Sequence, residues 1–382
     1  MVLKQLIPAR PAAKRLVVVV GCAGLAAGLA PPSVLSAQSG KSARAASRTI
    51  GFVVTNWYNG FVLTPDAAEC SLGVQKGEPL QARAQPGFEA YIRQFGGSYE
   101  TRGPNGEMGS FNPDVVKDPL PWSELTTKTG YGLNLDGTQD GRATAKTCRH
   151  EKFTSPEGEM VDHQMARAIG CVKGYRGDGN QETNGAGMIV TSPVMRRLLE
   201  ITGVDDERND PEVTVTFYKG RDGLRRTGNG QKWIADQSIR VDYRFPQYIS
   251  KARGKIVDGV LTTEPFRLVV PTGNVTFLIG EVDMEGTRLR LKMNGEDLSG
   301  VVAGYQDIDL WYMTHAKGVT SGLSQYNSSS IHKALYRFAD GYPDPKTGQC
   351  TRISTTYRMT GLRAMIVHSE QRDRIKGIAR AD

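Results

Sequence analysis

Short alternating segments separated by turn residues fill residues 198–294 and limit the folds open to this chain of 382 residues. Residues 212–218, EVTVTFY, alternate apolar side chains with hydroxyl-bearing or charged ones, which is typical of a sheet with one wet face. Asp-Gly at 258–259 and Asn-Gly at 294–295 suit tight type I′ hairpin turns, because both central positions of such turns take positive φ. Strands at this spacing predict a mainly β protein with an antiparallel β-sandwich or jelly-roll core. The predicted strands of this part are residues 198–204, 212–218, 238–243, 259–261, 266–270, 274–281 and 288–293.

The C-terminal residues add a few short elements to this core. Residues 329–340 place apolar side chains at helical spacing and predict a helix, as do residues 162–172 further upstream. Residues 303–313 predict another strand or the approach to one. Residues 351–358 and 362–368 end the chain as strand or helix.

A glycine- and asparagine-rich connector at residues 174–187 is the candidate boundary between two portions of the chain. Residues 49–187 form a loop-rich portion that disulfides tie together, beginning with a predicted strand at 50–55. Residues 188–382 form the β-sandwich portion. The two portions could also form one domain, since the chain length allows either one large β domain or two smaller ones.

The N-terminus has the features of a signal peptide over residues 1–37. Four basic side chains precede an apolar run at 16–30, and prolines and small residues follow it. The run is short for a transmembrane helix, which needs about 20 apolar residues. The sequence therefore predicts a periplasmic or secreted protein with a flexible lead-in at residues 38–48. Lipoprotein anchoring at Cys22 is the alternative, since small residues precede this cysteine closely.

Removal of the signal peptide leaves a mildly basic chain. Four basic and no acidic residues are lost, so the 48 basic residues become 44 against 40 acidic ones and the formal charge falls from +8 to +4. A nucleic-acid-binding surface would need Lys and Arg clustered on one face, and the sequence gives no case for one. We therefore expect no nucleic-acid partner, and no stable membrane span after cleavage.

Four cysteines remain after the predicted cleavage, and an even number in an exported chain favours disulfides. The preferred pairing among the three that four cysteines allow joins Cys148 to Cys171 and Cys70 to Cys350. The first bond would close a short loop around an acidic segment, and the second would tie the start of the mature chain to its end. No two of these cysteines have the short spacing of a zinc site.

A glycine-rich turn at residues 134–141, NLDGTQDG, carries oxygen-bearing side chains at nearly alternate positions. Calcium takes about six to eight oxygen ligands, and glycine lets a loop turn its oxygens inward. The sequence therefore predicts a calcium site at this turn. A pair of Asx turns that end in glycine, with the carboxylates facing water, is the alternative. The predicted ligands are Asn134, Asp136, Asp140, Glu151 and Asp162.

Two histidines, His150 and His163, flank the acidic loop that follows the turn. Together with Glu151 and Asp162 they could instead form a metal site with mixed nitrogen and oxygen ligands, or an acid–base pair. The sequence contains no H-E-x-x-H motif that would favour a zinc hydrolase.

The predicted strand at residues 303–313, AGYQDIDLWYM, carries the candidate ligand-binding residues. Asp307 and Asp309 are two residues apart and would share one face of this strand with Trp311. Aromatic rings pack on the apolar face of a sugar, while carboxylates hold its hydroxyls or protonate a leaving oxygen. The alternative is a half-buried strand whose wet face is acidic, and Trp57 is a second candidate aromatic platform.

These patterns favour an exported β-sandwich protein that binds a glycan or another envelope polymer. A polysaccharide hydrolase or lyase that uses carboxylates is one alternative, and a structural envelope protein without catalytic activity is another. The sequence contains neither the G-x-S-x-G motif of serine hydrolases nor a glycine-rich phosphate loop. It therefore identifies no catalytic residue, no substrate and no oligomeric state.

Overall fold

The computed structural model describes residues 47–62, 102–107, 109, 112–115, 124–176, 187–230, 232–273, 279–315 and 328–368, all within one compact unit that spans residues 45–382. The strands are, in chain order, β1 (Arg48–Asn59), β2 (Phe153–Thr154), β3 (Met160–Val161), β4 (Arg197–Val204), β5 (Asp210–Lys219), β6 (Gln237–Arg240), β7 (Ser250–Val257), β8 (Val260–Thr263), β9 (Phe266–Gly273), β10 (Ile279–Asn294), β11 (Asp297–Asp307), β12 (Gly341–Pro343) and β13 (Cys350–Val367). The α-helices are α1 (Gln164–Ile169), α2 (Ile308–His315) and α3 (Ser328–Arg337). Short 3-10 turns lie at Pro113–Val115, Lys173–Tyr175, Pro193–Met195 and Pro246–Tyr248.

Eight of these strands pair side by side until the last one meets the first, so the sheet closes into an antiparallel barrel. The order around the barrel is β1-β4-β5-β7-β8-β10-β11-β13, and β13 pairs again with β1. Three further strands join its margins: β9 pairs with β10, β12 pairs with β13, and β6 pairs with β13 in parallel. Closure removes the unpaired strand edges that an open sheet would expose to other chains.

The mainly β class with a few short helices is confirmed, but a barrel takes the place of the predicted sandwich or jelly roll. The difference comes from β1, which pairs with β4 along one edge and with β13 along the other. Alternation of apolar and polar side chains shows which residues form strands, but it does not show which strands are neighbours. Because β1 belongs to the N-terminal portion, both predicted portions contribute to the barrel.

Apolar side chains from alternate strand positions fill the inside of the barrel. On β4, Leu199 and Ile201 are fully buried in this core, as are Val215 and Phe217 on β5. Burying a side chain of this size contributes about 1.5–3 kcal/mol each. The residues between them, such as Glu200, therefore face outward from a well-packed support.

A second apolar cluster lies between the three helices and β13. Met165 and Ile169 from α1 contribute to it, together with Ile331 and Leu335 from α3 and Trp311 from α2. The helices predicted at residues 162–172 and 329–340 are confirmed, with shorter bounds than expected. This cluster holds α2 in place directly after β11.

Two-residue hairpin turns join strands close to where the sequence predicts them. Between β7 and β8, Asp258 and Gly259 have φ of 51° and 76°, as a type I′ turn requires. Between β10 and β11, Asn294 pairs with Asp297, so the centre of the turn lies one residue later than predicted. This turn begins with Gly295 at φ 61°, the position that glycine takes in a type II′ turn.

Some predictions fall on residues outside the described ones. They are the signal peptide at residues 1–37, lipidation at Cys22, nearly all of the lead-in at 38–48, and residues 274–278 of the strand predicted at 274–281. The predicted connector at 174–187 is described only at its two ends. Export of the protein therefore stays a prediction. Within the described part of the chain, no helix is long and apolar enough to cross a membrane.

Candidate functional site

A groove of about 760 Å³ lies on the outer wall of the barrel. Its floor is made by outward-facing side chains of neighbouring strands, and the strand register sets three of them in a row. Glu200 on β4 is opposite Thr216 on β5, and Thr216 is opposite Lys251 on β7. The segment after β6 contributes Tyr243 to the groove, and the end of β13 contributes His368. The groove therefore combines charged, hydroxyl and aromatic groups on a rigid sheet.

Gly51 allows the end of β13 to reach this groove. Gly51 on β1 is opposite Glu200, so a side chain there would extend the same outward-facing row. A Cβ atom at Gly51 would lie 2.4 Å from the carbonyl oxygen of Ala364 and 2.9 Å from Cγ1 of Ile366. Glycine is thus required where the end of β13 crosses the outer wall, and this crossing brings His368 beside Glu200.

Glu200, His368 and Tyr243 form a hydrogen-bonded relay in the groove. Nε2 of His368 lies 2.9 Å from Oε1 of Glu200, and since a carboxylate only accepts, Nε2 donates this bond. In the neutral ring, Nδ1 then accepts from the Tyr243 hydroxyl at 2.5 Å. The hydroxyl of Tyr218 donates to the other Glu200 oxygen at 3.3 Å. The relay therefore orders the imidazole and two phenol rings around one carboxylate.

The environment favours the neutral form of Tyr218 in the groove. Burial raises the pKa of Tyr218, and the charge of Glu200 raises this pKa further. The rings of Tyr218 and His368 meet edge to face with their centroids 5.4 Å apart. The Glu200 side chain is 7% exposed and the His368 side chain 27% exposed, so a ligand in the groove reaches the imidazole before the carboxylate.

No protein-family model, curated protein or solved structure matches this chain. A concave surface with a few convergent polar groups and aromatic rings is the usual form of a ligand site. The groove on the outer wall has this form.

The predicted ligand-binding residues Asp307, Asp309 and Trp311 do not line this groove, and they do not share a strand face. The strand predicted at 303–313 ends at Asp307, and Asp309 and Trp311 belong to α2. Oδ1 of Asp307 accepts from the backbone N–H of Leu310 at 2.8 Å, which satisfies a free donor of the first helical turn. The prediction of one continuous strand is wrong because this cap starts a helix.

The three residues have different surroundings in the structure. The Asp309 side chain is 67% exposed and lies 3.1 Å from Nε2 of His332. Trp311 is buried, and its ring stacks on the ring of His315 with centroids 4.9 Å apart. The three residues therefore do not form the single face that the sequence predicts for sugar binding.

Three of the five predicted calcium ligands lie together, and they surround an ammonium group. Nζ of Lys152 lies 2.6 Å from Oδ1 of Asp136, 2.5 Å from Oδ1 of Asp162 and 3.1 Å from Oδ1 of Asn134. Both Asp side chains are 0% exposed and the Lys152 side chain is 3% exposed. The three side chains therefore form a buried network of hydrogen bonds and ion pairs, which only good geometry stabilises.

His150 completes this buried cluster. Its Nε2 lies 2.9 Å from Oδ1 of Asp162 and 3.6 Å from Oδ2 of Asp136, and one ligand atom from each of the three residues lies within 4.8 Å of the others. Burial lowers the pKa of His150, but the hydrogen bond to Asp162 and the charge of Asp340 outweigh it and raise the pKa to about 9. Burial raises the pKa of Asp162, and the bonds from His150 and Lys152 lower it below its usual value.

The other two predicted ligands lie apart from the cluster. Asp140 is exposed, and its Oδ1 accepts from the backbone N–H of Arg142 at 3.3 Å. Glu151 is also exposed and forms an ion pair with Lys128 at 2.7 Å. Calcium binding itself stays a prediction, with Lys152 placed among three of the proposed ligands.

Asx-type hydrogen bonds shape the glycine-rich turn. Oδ1 of Asn134 accepts from the N–H of Gly137 at 2.9 Å, and Oδ1 of Asp136 accepts from the N–H of Thr138 at 2.8 Å. Gly137 has φ of 75°, which favours glycine. The alternative of Asx turns matches this backbone, although the Asp136 carboxylate is buried and does not face water.

The predicted disulfide pairings are wrong. Cys148 is bonded to Cys350, so neither Cys148–Cys171 nor Cys70–Cys350 forms. The cause is a long-range contact: the N–H of Cys148 donates to the carbonyl of Asp340 at 2.9 Å, beside the start of β13. Cys171 is also disulfide-bonded and lies buried in the cluster of the helices, while Cys70 lies outside the described residues.

The sequence offers little signal for the groove residues. Glu200 occupies an outward position of a predicted strand, and His368 ends another predicted segment. Nothing local relates them, since they are 168 residues apart in the chain. His163 of the proposed metal or acid–base pair is fully buried, its ring packs against those of Phe61 and Phe153, and burial lowers its pKa to about 4.

Proposed function

We propose that this protein is an exported binding protein that holds a polysaccharide chain in the groove on the outer wall of the barrel. The observation that carries the proposal is the set of groups that converge there. Lys251 can donate to sugar hydroxyls, Thr216 can donate and accept, and Tyr218 and His368 add their rings. The predicted signal peptide supports export, as does the Cys148–Cys350 disulfide, since such bonds persist in oxidising compartments.

The position of the groove favours a polymer over a small ligand. It lies on the outside of the barrel, and its floor crosses β4, β5 and β7, so a chain longer than the groove can continue past it. The packed apolar core below holds the floor in one conformation, which lowers the ordering cost of binding. We therefore expect several adjacent sugar units to contribute weakly, with the row from Glu200 to Lys251 fixing their position.

Two lysines on β7 provide a matched test of the proposal. Lys251 lines the groove, whereas Lys255 is exposed on the same side of the same strand and does not line it. Binding is measured by titration calorimetry against dextran, xylan, pectate and alginate, which sample neutral and acidic chains. Lys251→Gln should weaken binding about tenfold, as expected for one hydrogen bond from a charged donor. Lys255→Gln should leave it unchanged, and equal effects of the two variants would contradict a site in this groove.

A polysaccharide hydrolase or lyase is the second candidate, and the relay of Glu200, His368 and Tyr243 favours it. A hydroxyl 2.5 Å from an imidazole that a carboxylate orients is the arrangement used for proton transfer in catalysis. Release of reducing ends or unsaturated products from the same polysaccharides would support an enzyme if His368→Gln abolished it. Binding without turnover would support the binding protein, and a structural envelope protein predicts neither.

A further inference from the structure

A small cavity of about 70 Å³ lies at one end of the barrel, separate from the groove. The end of β1, the start of β4 and the end of β9 meet there, and α2 covers them. Its lining includes Trp57 and Trp311, the two tryptophans that the sequence suggests as ligand platforms, together with Arg197. The cavity is therefore aromatic with one cationic group.

The guanidinium of Arg197 is only partly satisfied by the protein. Arg197 is 1% exposed, and its Nε and Nη2 both donate to one acceptor, the carbonyl of Pro271, at 3.0 and 2.7 Å. Its Nη1 has no hydrogen-bond partner among the described residues, and the same holds for Nε1 of Trp57, which is 8% exposed. The guanidinium lies over the Trp57 ring at 4.5 Å from its centroid. Two buried N–H donors thus belong to neighbouring side chains of one cavity.

Arg196, the preceding residue, shows how this fold satisfies a buried arginine that needs no ligand. Arg196 is 0% exposed, and each of its three nitrogens donates to a different carbonyl. Those acceptors belong to Asp222, Ile189 and Val190. Arg196 directly precedes β4 and does not line the cavity, whereas Arg197 is the first residue of β4 and does. The incomplete pairing is therefore particular to the cavity.

Arg197 carries a charge that the described residues do not balance. Burial lowers its pKa to about 10, so the guanidinium stays protonated at neutral pH. It forms no ion pair with any carboxylate in the described part of the chain. A buried charge without a partner is strongly destabilising, and a buried donor without an acceptor adds to this cost. An anion in the cavity would remove both costs.

We propose that the cavity at the end of the barrel binds a small monocarboxylate, whose oxygens accept from Nη1 of Arg197 and Nε1 of Trp57. A planar carboxylate matches the planar donor geometry of a guanidinium. The rings of Trp57, Trp311 and Tyr357 would enclose the apolar end of such a ligand. Burial and the charge of Arg197 lower the pKa of His315 to about 4, so this neighbour is neutral and the site offers one positive charge. That balance favours a monovalent over a divalent anion.

Thermal unfolding of the purified full chain tests the proposal with acetate, propionate, sulfate and chloride at equal ionic strength. A ligand that binds only the folded state raises the melting temperature in a saturable way. We expect acetate or propionate to raise the melting temperature by about 3 °C at tenfold excess over the Kd. Sulfate should raise the melting temperature no more than chloride does. An equal rise with sulfate, or no rise above chloride with either carboxylate, overturns the proposal.

Matched variants locate the effect. Arg197→Lys and Trp57→Phe should each weaken the carboxylate affinity about tenfold, because each removes one donor. Arg196→Lys and Trp233→Phe are the controls, because neither side chain lines the cavity, and both should keep the response. Lys251→Gln in the groove should keep it as well. If Arg197→Lys does not fold, Trp57→Phe decides alone, because it keeps the aromatic ring and loses only the N–H. A carboxylate response unchanged in Trp57→Phe overturns the proposal.

Discussion

At the scale of single residues, the main electrostatic feature is the ammonium of Lys152 between two buried carboxylates. Asn134, Asp136 and Asp162 gather as the sequence predicts for cation ligands. The oxygen-rich turn indicates that a positive charge lies there. It does not show whether this charge is an ammonium group or a metal ion, since both attract the same oxygens. Lys152 lies 16 residues after Asp136, and only the folded chain shows that its side chain returns to the turn.

Replacement of Lys152 by methionine should destabilise the protein by about 3–5 kcal/mol, the usual cost of removing one partner from a buried ion pair. Methionine keeps most of the side-chain volume, so the loss of stability measures the effect of removing the positive charge. The free energy of unfolding in urea measures it. Lys128→Met is the control, because Lys128 is 62% exposed in its ion pair with Glu151 and should change stability by less than about 1 kcal/mol.

The same protein can be used to test calcium binding directly. Lys152 already provides a positive charge at the predicted ligands, so we expect equal melting temperatures of the wild type in calcium and in EDTA. A rise with calcium would instead support the calcium site that the sequence predicts, since a ligand of the folded state stabilises it.

For the lysine variants, similar losses of stability in Lys152→Met and Lys128→Met would contradict the importance of the buried ion pair.

At the scale of elements, the change from β11 to α2 shows where local pattern stops being sufficient. Residues 308–312, IDLWY, suit a strand by composition, and the sequence therefore predicts that the strand continues through them. The cap from Asp307 and the burial of Trp311 against the other helices favour a helix instead. Propensity is a weak preference that such tertiary contacts override. The helices α1 and α3 are predictable because their apolar residues repeat at helical spacing.

Asp307→Ala should destabilise the protein by about 1 kcal/mol, the typical cost of losing a helix cap. Asp309→Ala is the matched control, because Asp309 is in the first turn of the same helix and its side chain is mostly exposed. We expect a change of about 0.5 kcal/mol or less for this control. Urea midpoints of the two variants measure the difference. Equal losses would show that Asp307 acts through its charge and not as a cap.

At the scale of the whole molecule, the sequence predicts the strands better than their arrangement. Strands and one type I′ turn follow from patterns that span fewer than about twenty residues. Barrel closure depends on β1 meeting β13, and the groove depends on His368 meeting Glu200 across 168 residues. The cavity depends on Arg197 and Trp57, which lie on different strands. Such contacts leave no periodic signal in a single sequence.

The disulfide between Cys148 and Cys350 joins the loop-rich portion to β13, and its loss tests how far the whole fold depends on it. The bond spans 202 residues, so it restricts the unfolded chain strongly, and chain-entropy arguments give about 3–5 kcal/mol for such a crosslink. The double variant Cys148→Ser, Cys350→Ser should lose stability of that order in urea unfolding. It keeps the backbone bond from Cys148 to Asp340 and the separate disulfide of Cys171, so the barrel should still form. The N–H of Tyr342 in β12 also donates to the carbonyl of Lys146 at 2.7 Å. An unchanged urea midpoint would mean that this hydrogen bond and the Lys152 cluster hold the segment in place without the disulfide.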